Sequence, residues 1–273
     1  MSGADWMVLK LGGELLEDEK RMDGIAAAVA LRSRETSLVV VHGGGREIDA
    51  ALARAGLRKQ QVDGIRITDL ATLGVVIEVL AGTVNTRFVA AISAAGGAAV
   101  GLTGADAQLV VVRRADAHIG VDGSTTDLGQ VGQPTATNAA LLEHLAEGGY
   151  VPVVASIGLS EDGGLYNVNA DTLAADIAGR LSARLVVAGT TPGVLDATGH
   201  TIPALNRDAR RRLIASGVAS AGMIAKLRAC EDALTRGARE VVLVDGRDPR
   251  SIAALLGGAS GEALDSVTTR MVA

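Results

Sequence analysis

Short apolar runs alternate with segments of helical periodicity along the whole chain. The runs WMVLKLG, SLVVVHG, AAVGLTG, YVPVVASIG, ARLVVAG and EVVLVDG are rich in Val, Ile and Leu, and most of them end in glycine. Between several of them, apolar residues recur every three or four positions. Strands that alternate with helices in this way predict a mainly parallel sheet covered by helices. We therefore predict an α/β protein, a three-layer αβα sandwich around a central sheet.

The limits of the helices can be predicted from local chemistry. In REIDAALARAG, Ile48, Leu52 and Ala55 share one face, and Gly56 is the predicted end of the helix. A long helix is predicted over residues 69–96 and another over 138–147. The apolar stripe of the long helix indicates a core helix, with a helix at a subunit interface as the alternative; it consists of Leu73, Val76, Ile77, Leu80, Val84 and Phe88.

The middle of the chain and its division into lobes are less regular. Residues 104–134 contain QLVVVRR and DGSTTDLGQVGQP, which predict a β-ribbon and loops, in the manner of a lid or hairpin. No linker rich in Pro, Gly or Ser divides the chain. We predict two lobes on one continuous sheet, residues 1–171 and 172–273.

Composition narrows the class of partner. The 273 residues carry a net charge of −5, which argues against general binding to nucleic acid or to an anionic membrane. The aromatic residues are only Trp6, Phe88, Tyr150 and Tyr166, so stacking on nucleobases is not expected. We expect small-molecule substrates.

Two further observations concern the cellular compartment. Cys230 is the single cysteine and lies in a helical pattern, so we interpret it as a small buried apolar residue. The N-terminal stretch has no long apolar segment of a signal peptide, and no run reaches ~18 uninterrupted apolar residues. The expected location is the cytoplasm.

Two glycine-rich stretches end the first two predicted strands. They are KLGG at residues 10–13 and HGGG at 42–45. Glycine lets backbone amides approach a ligand closely, and the N-terminus of a following helix adds positive potential, so each stretch is a candidate anion site. Each also has the composition of a tight turn. Neither matches the Walker A motif or the dinucleotide fingerprint GxGxxG.

Four other motifs carry candidate binding groups. GIRITD contains Arg66, whose fork suits a carboxylate, although a lone arginine is more often a solvated charge. NVNAD places Asn167 and Asn169 on one side of an extended segment, followed by Asp171, which helix capping alone would also explain. GMIAK sets Lys226 one turn into a helix. TTPGVLD follows the fifth strand.

The order KLGG, HGGG, GIRITD, NVNAD, TPGVLD, GMIAK resembles the amino acid kinase superfamily, most closely its acetylglutamate branch. The resemblance covers almost the whole chain, and VVASIG followed by YNVNAD is its most specific part. It implies the amino acid kinase fold and a transferase that uses ATP and Mg²⁺, the metal being held mainly by nucleotide phosphates. The implied reaction converts N-acetyl-L-glutamate into N-acetyl-L-glutamyl 5-phosphate in arginine biosynthesis.

The resemblance also implies roles for individual residues. Lys10 and Lys226 would stabilise the transferring phosphoryl group, and Asp171 would hold the two lysines in place. Backbone amides of Gly12, Gly13, Gly43 and Gly44 would face phosphoryl and substrate oxygens. The acyl amino acid would bind Gly43, Gly44, Arg66, Asn167 and Asn169 in the first lobe, which would also form the dimer. The second lobe would bind ATP through Thr190, Gly193, Leu195, Gly222, Met223 and Lys226.

This chain departs from the family pattern at two places. After the fifth strand many relatives carry Ser-Asp or Thr-Asp, whereas this chain has Gly189-Thr190-Thr191 without an acid. The chain also begins only a few residues before its first strand, whereas relatives inhibited by arginine usually carry an extra N-terminal helix. We therefore expect a homodimer without strong arginine feedback.

Three alternatives remain open from the sequence. One is a sister kinase for N-succinylglutamate or carrier-linked aminoadipate. Another is a non-catalytic regulatory homologue, which the missing acid near Thr190 suggests and the retention of Lys10, Asp171 and Lys226 opposes. The third is an NAD-type oxidoreductase, which fits the α/β pattern but lacks the fingerprint.

Overall fold

A large, mainly parallel sheet forms the centre of the structure. The computed structural model describes residues 5–120, 123–215, 221–258 and 262–271. Within these ranges the strands are β1 Trp6–Leu11, β2 Ser37–His42, β3 Gln61–Val62, β4 Ile65–Arg66, β5 Ala99–Leu102, β6 Val110–Arg114, β7 His118–Ile119, β8 Thr125–Thr126, β9 Gly132–Thr137, β10 Val151–Ala155, β11 Ile157–Leu159, β12 Leu165–Asn167, β13 Arg184–Gly189, β14 Ala204–Leu205, β15 Glu240–Asp245 and β16 Thr268–Met271.

The order of strands in the central sheet confirms the predicted fold class. In the described part of the chain, the sheet has the order β14-β16-β15-β13-β1-β2-β10-β5. The six strands predicted from apolar runs are consecutive within it, and each neighbouring pair among them is parallel. Only β15 and β16 run antiparallel. The edge strand β14 and its neighbour β16 were not predicted, because neither contains an extended apolar run.

Helices cover both faces of this sheet. They are α1 Glu19–Arg32, α2 Gly45–Arg54, α3 Leu70–Ile77, α4 Asn85–Ala94, α5 Ala139–Glu147, α6 Ala170–Arg180, α7 Arg207–Ala215, α8 Ala221–Thr235, α9 Pro249–Leu256 and α10 Glu262–Asp265. Gly56 has φ of 71°, a left-handed conformation that ends α2 as predicted. Asn138 caps α5 by accepting a hydrogen bond from the amide of Leu141.

Strand alternation divides the core into two layers. Successive side chains of β1 point to opposite faces, so Met7, Leu9 and Leu11 pack with the helices α1 and α9 in one cluster. Trp6 and Val8 belong to the other cluster, together with buried residues of α6 and α8. The arrangement is the predicted three-layer sandwich.

The long predicted helix is continuous but not uniform. A π-helical stretch, Glu78–Val84, joins α3 to α4. By length and composition Leu70–Ala94 is the one described helix that could cross a membrane, with 25 residues and a hydropathy of 1.6. In this fold its buried residues, Val76, Leu80 and Phe88 among them, pack into the core of the sandwich. The helix is therefore a core element, as its stripe predicts.

A second, smaller sheet lies beside the carboxyl end of β10. Its order is β12-β11-β6-β9, and β6 and β9 form the predicted antiparallel ribbon. The chain passes from β10 into β11 at Ser156, so the two sheets meet beside the candidate site. Two small hairpins, β3-β4 and β7-β8, contain Arg66 and His118 respectively. Residues 121 and 122 of the predicted loop lie outside the described ranges.

The predicted boundary between the lobes falls inside a helix. Residues 171 and 172 both belong to the first turn of α6, which packs against β1 of the first part and against α8 of the second. The central sheet contains strands from both parts of the chain. The sheet is therefore continuous across the predicted boundary, and the assignment of one ligand site to each lobe stays a prediction.

Candidate active site

Lys10 is a buried cation near the carboxyl end of β1. Its side chain lies on the same face of the sheet as Trp6 and Val8, because strand side chains alternate. That face is covered by α6 and α8, the helices that carry Asp171 and Lys226. Lys10 is only 7% exposed, so a charged partner is required to offset its removal from water.

Asp171 is that partner. Lys10 Nζ lies 2.9 Å from Asp171 Oδ1. The sequence left helix capping as an alternative role for Asp171, and that interpretation is wrong. The cap of α6 is Asn169, whose Oδ1 accepts hydrogen bonds from the amides of Asp171 and Thr172. The Asp171 carboxylate is consequently left for the lysines.

Lys226 of α8 acts on the same carboxylate through its positive charge. Burial raises the pKa of Asp171, but the positive charges of Lys10 and Lys226 outweigh it and hold the pKa below its usual value. A β-carbon placed on Gly189 would lie 3.1 Å from Lys226 Nζ, so the amine lies against the carboxyl end of β13, the neighbour of β1. The structure therefore brings together the three predicted catalytic residues.

The two glycine-rich loops touch each other beside these charges. A β-carbon on Gly13 would lie 2.5 Å from the Cα atom of Gly44. A β-carbon on Gly44 would lie 2.8 Å from Leu80 in the π-helical stretch. These distances explain two of the glycines by close packing of backbone against backbone and core.

The amides of these loops divide into two groups. Gly12 donates to the carbonyl of Ala188, and Gly43 donates to the carbonyl of Leu11, so both already belong to the strand network. Within the described ranges, the amides of Gly13 and Gly44 have no protein acceptor. Of the four predicted donors, these two are the ones available to a ligand.

Arg66 lies at the side of the same cleft. Its Nη2 contacts Asp49 Oδ1 at 2.5 Å and donates to the carbonyl of Gly45 at 3.2 Å. Its Nη1 is buried and has no hydrogen-bond partner in the described part of the protein. An unsatisfied guanidinium nitrogen is costly unless an anionic ligand contacts it.

The predicted asparagines complete this wall. Asn167 donates from Nδ2 to Thr68 Oγ1 at 3.1 Å, and Thr68 donates to the carbonyl of Arg66. The cleft has a volume of about 230 Å³. Its lining includes the predicted residues Lys10, Gly12, Gly13, Gly43, Gly44, Arg66, Asn167, Asn169 and Asp171.

The residues predicted for the nucleotide lie around the carboxyl end of β13 and the start of α8. Thr190 follows β13 directly, and Leu195 bridges to Thr201. Gly193 has φ of 69°, and a β-carbon there would lie 2.5 Å from Thr269 Oγ1, so the turn itself requires a glycine. Gly222 and Met223 open α8, and Gly222 faces Gly64 of the β3-β4 hairpin.

Sequence reasoning missed several residues of the site. Glu14, Val131 and Ser156 line the cleft. Glu14 and Val131 lie outside the motifs, and Ser156 lies within VVASIG but was not assigned a role. His42 was noted only as part of HGGG, yet it is completely buried and hydrogen-bonded to Asn85. The sequence position that could have indicated this pair is Asn85, a polar residue one position beyond Val84 of the apolar stripe.

Burial keeps His42 neutral. Desolvation lowers its pKa from 6.5 to about 4, although a hydrogen bond with the carbonyl of Gly43 opposes the shift.

Cys230, one turn beyond Lys226, is buried as predicted, and burial together with the charge of Asp171 raises its pKa to about 12. This thiol is protonated and does not serve as a nucleophile at neutral pH.

Comparison with known proteins identifies the family. Residues 5–245 match the model of the amino acid kinase family. The chain belongs to the amino acid kinase family. Among similar members, acetylglutamate kinase of Gluconacetobacter diazotrophicus is 42% identical over 253 residues, which cover 90% of this chain and 80% of that protein. Acetylglutamate kinase of Chloroflexus aurantiacus is 44% identical over 240 residues, 87% of this chain and 91% of that protein.

Solved structures agree with this family fold. N-acetylglutamate synthase from Neisseria gonorrhoeae, complexed with coenzyme A and N-acetyl-glutamate, superposes with a TM-score of 0.83 at 25% identity, over 100% of this chain and 60% of that longer chain. Giardia carbamate kinase superposes with a TM-score of 0.68 at 12% identity, covering 99% of each chain, which supports the fold alone.

The contact between the glycine loops predicts the effect of one methyl group. Gly13→Ala should lower the free energy of unfolding by roughly 1–3 kcal/mol. The added methyl group would collide with the backbone of Gly44, which cannot move aside as the end of a flexible side chain can. Gly45→Ala is the matched control, since a β-carbon there meets nothing within 4 Å, and it should change stability by less than about 0.5 kcal/mol. Urea unfolding measures both, and equal effects would contradict the contact.

The buried His42 predicts a pH dependence of stability. Its pKa is about 4 in the folded state and 6.5 when solvated, so the unfolded chain binds the extra proton between these values. Stability should therefore fall as the pH drops through this window, by about 3 kcal/mol in total. Urea unfolding of the wild type and of His42→Asn from pH 7 to pH 4 tests this. Parallel pH curves for the two proteins would refute it.

Proposed function

We propose that this chain is a kinase that transfers the γ-phosphoryl group of ATP to the γ-carboxylate of N-acetyl-L-glutamate. The product would be N-acetyl-L-glutamyl 5-phosphate, an intermediate of arginine biosynthesis. The proposal is carried by the convergence of Lys10, Asp171 and Lys226 beside the touching glycine loops. The relatives named acetylglutamate kinase and the Arg66 and Asn167 motifs support the choice of substrate.

The nucleophile requires no general base. A glutamate-type carboxyl group has a pKa of ~4.3 and is ionised at neutral pH. One of its oxygens would attack the γ-phosphorus while the bond to the bridging oxygen breaks and ADP leaves. The obstacle is the repulsion between a carboxylate and a triphosphate. Cancellation of negative charge is therefore the principal task of the site.

The lysine pair and the backbone amides fit this task. Lys10 Nζ is held 2.9 Å from Asp171, so its position is set before any ligand binds. Lys226 extends from α8 to Gly189 at the carboxyl end of β13, so its amine would meet the phosphoryl group from the side of that strand. The amides of Gly13 and Gly44, which have no protein acceptor in the described ranges, would bind phosphoryl oxygens.

The other end of the cleft fits the α-carboxylate of an amino acid. Arg66 has one nitrogen tied to Asp49 and one buried nitrogen without a partner in the described chain. A carboxylate contacting that nitrogen would satisfy it. Asn167 and Asn169 lie on the same wall and would hydrogen-bond the acylated amino group and the carboxylate.

The nucleotide would bind at the carboxyl end of β13. The turn from Thr190 to Leu195 and the first turn of α8, with Gly222 and Met223, would form its contacts, and residues 172–273 would form the ATP lobe. Mg²⁺ would lie among the nucleotide phosphates and neutralise their charge. Glu14, whose carboxylate lies against Gly12 in the cleft, has the oxygen chemistry that Mg²⁺ prefers.

The remaining expectations follow from the family resemblance and the surface. A homodimer formed by the first lobe fits the apolar long helix, on which Leu70 is 74% exposed. The family resemblance also leads us to propose a cytoplasmic location.

The substrate assignment can be tested by trapping the product. Hydroxylamine converts an acyl phosphate into a hydroxamate, which an iron reagent detects while a coupled assay records ADP. With N-acetyl-L-glutamate we expect equal amounts of hydroxamate and ADP, and much lower rates with N-succinyl-L-glutamate and L-glutamate. A faster reaction with the succinyl compound would transfer the assignment to a sister kinase. No product with any acyl amino acid would contradict a kinase.

The role of Lys10 can be tested by truncation. Lys10→Ala should lower kcat by ~100- to 1,000-fold, the effect of losing one preorganised donor at a transition state. Lys226→Ala should behave similarly. Lys20→Ala removes an exposed lysine of α1 and should leave the rate unchanged. Near-normal turnover by Lys10→Ala in the ADP-release assay would refute the role.

A further inference from the structure

A buried polar network lies behind the HGGG loop. His42 is 0% exposed and Asn85 is 4% exposed, although both are polar. Asn85 Nδ2 donates to the carbonyl of Val153 at 2.8 Å and lies 3.0 Å from His42 Nε2. His42 Nδ1 lies 3.2 Å from the carbonyl oxygen of Gly43. The network thus runs from α4 through an imidazole ring to the glycine loop.

The partners determine which nitrogen of His42 carries the proton. A carbonyl oxygen only accepts, so the atom of Asn85 that faces Val153 must be its amide nitrogen. The second hydrogen of that nitrogen is then donated to His42 Nε2. A neutral imidazole that accepts at Nε2 carries its hydrogen at Nδ1 and donates it to the carbonyl of Gly43.

Space for Asn85 is reserved by a glycine on the neighbouring strand. A β-carbon on Gly101 of β5 would lie 2.1 Å from Asn85 Oδ1. Any side chain at this position would therefore displace the amide of Asn85 from His42. Gly101 lines a different cavity from the reaction cleft, so its effect on the cleft passes through Asn85.

Peptide geometry links this network to the reaction cleft. The carbonyl of Gly43 and the amide of Gly44 belong to one planar trans peptide, in which the two groups point in opposite directions. His42 holds the carbonyl toward the protein interior. The Gly44 amide is then directed away from the interior, and Gly44 lines the cleft with no protein acceptor for that amide in the described ranges.

We propose that His42, oriented by Asn85, is a positioning residue that holds the Gly43–Gly44 peptide so that the Gly44 amide faces the transferred phosphoryl group. This inference rests on the proposed function, which supplies the phosphoryl group. His42 itself does not touch the reacting atoms. Its contribution is to remove the freedom of a glycine peptide, which no side chain of its own restrains.

Two substitutions separate this role from the filling of space. His42→Asn keeps a nitrogen donor at the position of Nδ1, next to the carbonyl of Gly43, but loses the acceptor for Asn85. His42→Gln keeps a polar group at the position of Nε2 but loses the donor to Gly43. Both substitutions replace the imidazole ring with a non-aromatic side chain. If His42 only filled space, the two variants should therefore lose similar amounts of activity.

The kinetic experiment measures kcat and KM for the wild type and both variants. For His42→Gln we expect kcat to fall by ~10- to 100-fold, part of the effect of one transition-state donor, with KM for both substrates changed by less than about threefold. For His42→Asn we expect at least about ten times the kcat of the glutamine variant. Thermal melting of all three proteins reports their stability independently.

A binding measurement gives a second readout without turnover. ADP with Mg²⁺, aluminium fluoride and N-acetyl-L-glutamate mimics the transferring phosphoryl group. Calorimetry should show this mixture binding at least about tenfold more weakly to His42→Gln than to the wild type, with ADP alone binding equally.

Gly101→Ala provides a variant that leaves the loop sequence intact. It should displace Asn85 and lower kcat at unchanged KM, even if His42→Gln does not fold. A kcat equal to that of the wild type in both Gly101→Ala and a folded His42→Gln would overturn the proposal. It would also be overturned if the loss of kcat in His42→Asn and His42→Gln simply followed the fall in their melting temperatures. An inactive wild type would instead count against the proposed function, and with it this inference.

Discussion

One carboxylate shared by two cations is the interaction on which the site depends. Lys10 comes from a strand, Lys226 from α8, and Asp171 from the first turn of α6. Lys10 is buried and Lys226 is half-buried, and the Asp171 carboxylate is the negative charge that offsets both of them. The charges of Lys10 and Lys226 hold the pKa of Asp171 below its usual value against the effect of burial, which favours the ionised carboxylate.

The parallel sheet makes this meeting possible. The carboxyl ends of β1, β2 and β13 are neighbours, so a loop that follows one strand lies beside the loop that follows the next. KLGG and HGGG therefore pack against each other with Gly13 on Gly44. The amides of Gly12 and Gly43 extend the strand network and anchor the loops, which leaves the amides of Gly13 and Gly44 for a ligand. Binding sites at the carboxyl ends of strands are general in open α/β sheets.

Much of the fold could be predicted because buried parallel strands are apolar on both faces. Each of the six apolar runs became a strand of the main sheet, and the stripe on residues 69–96 became a core helix. TTRM was missed as a strand because an antiparallel strand near the edge needs only alternate apolar residues. The π-helical stretch was also missed, since apolar periodicity does not distinguish it from an α-helix over seven residues.

Residue types and their order along the chain were enough to indicate the family, the parallel sheet and most candidate site residues, because these depend on local composition and spacing. Where the sequence allowed a residue two roles, such as capping a helix or pairing with a charge, the tertiary structure decided between them. Asn169 rather than Asp171 caps α6, and among the described residues only two of the four glycine amides lack a protein acceptor. The tertiary structure also brought Asn85 to His42, 43 positions away in the sequence. These outcomes depend on spatial distances between segments that are far apart in the sequence, and a local sequence pattern does not determine such distances.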